Sequence, residues 1–172
     1  MQIVNPDIPT ADTNPSELTV VIIFGSAEER SLWTSTARDH FGPSAYLYNE
    51  VTDIGSLSAV LAMFPSRSIA KLVFGGHGWH EGLALGEDES TYFNATNLCA
   101  NPEAVRIIRN VLSGPTAVIE CQCCLYGENE ADIQIVAKLL NASLRAYTGI
   151  ADYNQWDWPG DDDGVWVTLE PK

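Results

Sequence analysis

The sequence predicts an α/β protein, a three-layer α/β/α sandwich built around a mainly parallel central sheet. Three observations predict it. Short runs rich in Val, Ile, Leu and Phe, such as Leu18-Thr-Val-Val-Ile-Ile-Phe24 and Leu72-Val-Phe74, suit strands buried on both faces. Stretches with apolar residues three and four positions apart separate these runs, which is the rhythm of βαβ units. Glycines then close the runs, as at Gly25 and Gly75-Gly76, where the backbone turns out of the sheet.

Residues 1–17, rich in Pro, Asp, Asn and Thr with little to bury, are expected to form a loose leader, and 18–172 a single domain. Leu18–Phe24 is the first strand, dense in β-branched residues. Ser26 is placed to cap a helix from Ala27 to about His40, with Glu28 and Glu29 in its first turn where the helix dipole favours acids. Gly42-Pro43 stops it. Ala45–Val51 is a weaker strand, and Asp53 caps a helix whose Leu57, Val60, Leu61 and Phe64 form one apolar stripe. The strand through Leu72-Val-Phe74 follows and ends at Gly75-Gly-His-Gly78. Gly82–Gly86 and Thr91–Phe93 resemble a small hairpin. Asn101-Pro102 opens a helix carrying Val105, Ile108, Val111 and Leu112. A strand from Thr116 runs into Cys121, Cys123 and Cys124, and a helix over Ala131–Leu140 comes next. Ser143–Ile150 is a further strand, Asp152–Asp163 an irregular loop, and Gly164–Leu169 the last strand.

Composition narrows the function classes. Hydrophobic content of 45% and charged content of 19% describe a folded globular chain. Nine Lys plus Arg against 23 Asp plus Glu give a net charge of -14, which argues against nucleic acid and anionic membranes as partners. No run approaches the roughly 18 apolar residues of a membrane span. The start, Met1-Gln-Ile-Val-Asn-Pro-Asp-Ile-Pro9, lacks the basic region and apolar core of a signal peptide, so a cytoplasmic location is expected. The crowded cysteines form no spaced disulfide framework and fit a reducing compartment. Nothing in the pattern sets the oligomeric state.

His77 and the cysteine cluster carry the chemistry. His77 is expected at the carboxyl end of a central strand, the edge of an open α/β sheet where ligands bind. If the cysteine strand is its parallel neighbour, an imidazole and a thiol face each other at one rim. Cysteine attacks as its thiolate, and histidine can take the proton. The backbone N–H groups of Gly78 and Cys123 would converge as an oxyanion hole. Cys121 and Cys123 share one face by strand alternation, and Cys123 lies nearer the strand end, which favours it as nucleophile over Cys121 and Cys124.

A strand ending in His-Gly, a hairpin, a helix and a strand ending in Cys resemble the caspase and gingipain clan of cysteine peptidases. The nearest patterns are bacterial caspase-like domains and the self-cleaving protease domains of large toxins. His77 precedes Cys123 by close to the roughly 50 residues typical of caspases. The resemblance spans about Leu18 to Leu169 and implies a caspase-like sandwich and a cysteine endopeptidase acting on a peptide or protein. It puts the general base on His77, the nucleophile on Cys123 and the oxyanion glycine on Gly78. No cofactor is required. Gln122 stands where several bacterial relatives carry a small residue, and Cys124-Leu125 depart from the caspase pentapeptide.

Two other readings compete. A catalytically silent relative would use the same rim, the hairpin and the loop carrying Trp156 and Trp158 to hold a partner. A metal could instead be held by His77, His80, Cys121, Cys123 and Cys124, although Cys-x-Cys-Cys lacks a second knuckle. For substrate contacts, Asp152 is the expected selector for a basic residue and Trp156 an expected contact.

Overall fold

A computed structural model describes residues 3, 5–10, 17–151, 156 and 164–172. Asp152, the expected selector, and Trp158 lie outside the described residues. Eight strands and five helices are present among those described: β1 (Leu18–Ile23), α1 (Ala27–Phe41), β2 (Tyr46–Tyr48), α2 (Ile54–Leu61), β3 (Ile69–Gly75), β4 (Gly78–Trp79), β5 (Gly82–Leu83), α3 (Ala95–Ala100), α4 (Pro102–Val111), β6 (Val118–Gln122), α5 (Glu130–Leu140), β7 (Ser143–Tyr147) and β8 (Trp166–Leu169). Six strands form the central sheet in the order β2-β1-β3-β6-β7-β8. The first five run parallel, and β8 pairs antiparallel with β7.

Alternation along the strands divides the core. Val20 and Ile22 of β1, Leu72 and Phe74 of β3, Ile119 and Cys121 of β6, and Leu144 and Ala146 of β7 face one side. There they meet Leu57 and Leu61 of α2, Leu98 of α3, Ile108 of α4 and Val136 of α5. Val21, Ile23, Leu47 and Val73 face the other side, against Trp33 and Ala37 of α1. Burying each such Val, Leu, Ile or Phe contributes about 1.5–3 kcal/mol. Helices therefore lie on both faces, four on one and α1 on the other. Among the described residues no helix is long and apolar enough to cross a membrane.

Local chemistry accounts for the helix starts. Ser26 Oγ accepts from Glu29 N, and Glu29 Oε2 accepts from Ser26 N at 2.8 Å, a complete capping box. Asp53 caps α2 through Ser56 N. Asn94 caps α3 through Asn97 N.

Three expected features differ. The hairpin pairs Gly78-Trp79 with Gly82-Leu83, and Phe93 joins it by a single bridge to Leu83, so its turn is Trp79-His-Glu-Gly82 rather than Glu-Asp-Glu-Ser. Asn94 opens a helix, α3, that the apolar pattern does not announce. The expected leader is docked where it is described: Asn5 Nδ2 donates to Leu47 O and Asn5 Oδ1 accepts from Leu47 N, both at 2.8 Å, while Tyr46 donates to Asp7 O. One amide side chain thus occupies the outer backbone groups of Leu47 in β2, an edge strand otherwise open to pairing.

On the α1 side of β6, Glu120 is buried yet ion-paired. Arg145 Nη1 lies 3.0 Å and Lys71 Nζ 3.3 Å from its Oε2. Arg145 also stacks over the Trp166 ring at 4.1 Å.

Candidate functional site

The strand order reverses beside β1: α1 carries the chain outward to β2, and α2 returns it to β3 on the other side. Ligands of open α/β sheets bind outside the carboxyl ends of strands at such a switch. A cleft of about 600 Å³ lies there, lined by Ser26 and Arg30 after β1, Asp53 after β2, His77 and Trp79 after β3, and Tyr92 beyond the hairpin.

His77 leaves β3 through Gly75 and Gly76. Gly76 takes φ of 155°, and a β-carbon there would meet Phe24 at 2.6 Å, so the tight exit needs glycine. The imidazole is half exposed and its Nε2 is engaged by Glu29 Oε1. A carboxylate only accepts, so Nε2 is the donor in this pair and Nδ1 is the ring nitrogen left to act as a base. Hydrogen bonds from Ser26, together with His77, hold the Glu29 carboxyl below its ordinary range. On its other side the ring stacks on Trp79, with centroids 6.2 Å apart. That indole is 46% exposed at the cleft.

The strands carrying His77 and the cysteines are hydrogen-bonded parallel neighbours, with Phe74 opposite Cys121 and Gly75 opposite Gln122. Gly76 N continues the contact to Gln122 O at 3.4 Å. Beyond the sheet the two segments still touch, for a β-carbon at Gly78 would lie 2.7 Å from Cys123 Sγ and 2.9 Å from Cys124 O.

Cys123 itself is placed differently from expectation. β6 ends at Gln122, but the alternation persists one residue further and turns Cys123 into the core with Cys121, Phe74 and Tyr126. Both thiols are fully buried, and burial pushes each well above the ordinary thiol range. The Cys123 thiol points at Cys121 O, 3.7 Å away, and in this conformation offers no surface to a substrate. Cys124 is the half-buried member of the cluster and sits at the exit. Leu125 follows it with φ of 59°, a left-handed turn that non-glycine residues rarely take, and its N–H donates to Gly149 O at 2.9 Å. Tyr126 anchors the turn from inside by donating to Asp132 at 2.6 Å.

The remaining candidates are also accounted for. His80 lies in the hairpin turn, paired with Glu128 at 2.9 Å, and Asn129 donates to its carbonyl. It ties the hairpin to the turn after Cys124. Among the described residues no group of three or more His, Cys, Asp or Glu gathers in a way that could hold a metal ion; His77 and His80 each face a glutamate, and two of the thiols face the core. Trp156, expected at the rim as a substrate contact, is 6% exposed and packs between α1 and the end of β3. The apolar sites for its large ring were already built on that side, in Trp33 and Phe41.

Glu29 was not legible as a site residue, since acids in a first helical turn serve the helix dipole. The Ser26-x-x-Glu29 capping box was the available signal, because it sets Glu29 at the mouth of the β1–α1 turn on the same rim as His77. Comparison of the chain with models of protein families, with curated proteins and with solved structures finds no match.

Proposed function

We propose that this protein is a caspase-like cysteine peptidase in which His77 is the general base, Glu29 orients it, and Cys124, in place of Cys123, is the nucleophile. The observation that carries this reading is the parallel pairing of β3 with β6. With Gly75 opposite Gln122, residues 77 and 124 each stand two positions beyond the paired end, leaving the sheet side by side. A left-handed residue immediately after Cys124 supports it, because backbone strain of this kind gathers at functional sites.

In this mechanism His77 Nδ1 takes the proton of the Cys124 thiol, and the thiolate attacks the peptide carbonyl carbon. A carbon–sulfur bond forms and the carbonyl oxygen becomes an oxyanion, held by backbone N–H groups at the Gly78 and Cys124 segments. The imidazolium returns its proton to the amine as the carbon–nitrogen bond breaks. Water, deprotonated by His77, then hydrolyses the thioester and restores the thiol. Glu29 keeps the imidazole in the tautomer this requires and stabilises the imidazolium.

The test is hydrolysis of a fluorogenic peptide library by the wild type and by C123A, C124A and H77A. C124A and H77A should each lose at least about 10²-fold in rate, while C123A stays active. Loss in C123A with retention in C124A would overturn the assignment. A second reading, a silent binding module, is favoured by the sealed Cys123 thiol and by the exposed Trp79 indole at the cleft. It predicts no turnover of any library member, with peptide binding that weakens in W79A.

A further inference from the structure

We infer that Trp156 is a positioning residue that sets Glu29 against His77. The inference rests on the His77–Glu29 pair being the working base of the proposed peptidase, but the contact it explains exists whatever the chemistry. Glu29 belongs to α1 and His77 follows β3, so their meeting depends on how close α1 lies to the end of β3.

Trp156 fills that gap together with Trp33 of α1 itself, both of which lie against Gly75. The Trp156 ring lies 4.7 Å from the Trp33 ring and 5.0 Å from the Phe41 ring, both nearly perpendicular, and is stacked against His40 at 6.5 Å. Its Nε1–H donates to Thr36 Oγ1 at 2.9 Å. Those contacts cover two turns of α1. On the opposite side the indole rests on Gly75, where a β-carbon would stand only 2.3 Å from its Cη2 and 2.9 Å from its Cζ3. Gly75 is the last residue of β3, two before His77. Glu29 lies one helical turn before Trp33 on the same face of α1. The indole is thus a spacer gripping helix and strand one turn below the ion pair, and glycine at 75 is what admits it. Without it α1 rests on the sheet through Trp33 and Ala37 alone and can settle toward β3, and a shift of about 1 Å in such a pair can cost about 10²-fold in rate.

The experiment reads the pair directly and then its effect. A hydrogen-bonded imidazole N–H gives a slowly exchanging proton resonance, so His77 Nε2–H is followed by NMR in the wild type, E29Q, W156F, W156A and G75A, beside the rate of Cys124 alkylation by iodoacetamide across pH. E29Q should lose the resonance and so identify it. W156A should lose it too. G75A, whose β-carbon would meet both Trp156 and Trp33, should lose it as well, and W156F, which keeps an aromatic ring, should retain it. Alkylation of Cys124 should fall by about 10- to 100-fold in W156A and G75A and by less than about threefold in W156F. A folded W156A or G75A that keeps the resonance and the wild-type pH profile, with only a lower melting temperature, would overturn the inference. If W156A fails to fold, G75A decides, and T36V, which like W156F loses the Nε1–H bond to Thr36, should retain the resonance. Slow alkylation of Cys124 in the wild type would count against the peptidase while the NMR arm still judged Trp156.

Discussion

Replacing Gly78 by alanine tests how closely the two strand exits approach. A β-carbon there would lie 2.7 Å from Cys123 Sγ, 2.8 Å from Cys123 Cβ and 2.9 Å from the Cys124 carbonyl oxygen. Ordinary contacts begin near 3.4 Å, so the new methyl overlaps three atoms by roughly half an ångström or more. One of them is backbone and another is fixed to it, so side-chain rotation relieves little. Overpacking of this kind costs about 1–3 kcal/mol. For a chain of this length 1 kcal/mol moves the melting temperature by about 2–4 °C, so G78A should melt several degrees lower. Urea denaturation should give the same loss with an unchanged slope. C123A removes the sulfur but leaves the Cβ and carbonyl contacts, so the G78A/C123A double variant should recover less than half of the cost. Wild-type stability in G78A would mean that the His77 and Cys124 segments do not abut, and the site as described would fail.

Two further outcomes follow from the charged groups. Arg145→Met should cost about 2 kcal/mol in urea denaturation, because it strips a buried carboxylate of one of its two cations, whereas Glu120→Leu should cost less, since Lys71 and Arg145 both reach water. The pH dependence has a definite sign. The folded Glu29 carboxyl is held below its ordinary value, so its contribution is present above about 4.3, the usual glutamate value, and is lost as pH falls through the lowered one. Wild type should therefore exceed E29Q in stability at pH 7 and converge on it near pH 2, and a constant difference would refute the pairing.

The layered architecture was legible because strand and helix signals agree locally. β1 is dense in β-branched residues and both Ser26 and Asp53 announce the helices they cap. Where the pattern is short the outcome was open. Two-residue strands such as β4 and β5 leave no period to read, and which glycines flank the turn is decided by packing against Phe93 and Asn94. At the site, alternation correctly put Cys121 and Cys123 on one face but could not say which face was the core. The layer of α3 and α5 beneath β6 decides it, and that layer depends on residues far away in sequence. Trp156 eluded reading for a similar reason: a tryptophan in a polar, irregular stretch looks like surface, and only the bare end of β3 at Gly75 makes an interior place for it.

The central claim is that Cys124, beside a Glu29-oriented His77, is the reactive thiol. Alkylation by iodoacetamide across pH, with mass mapping of all four cysteines, tests it most directly, because exposed Cys99 serves as an internal reference and Cys121 and Cys123 as buried ones. The account predicts that Cys124 reacts faster than Cys99 well below the ordinary thiol value of about 8.5, that H77A removes the advantage, and that Cys121 and Cys123 react only on unfolding. Cys124 reacting no faster than Cys99 at any pH, or equally fast in H77A, would contradict it.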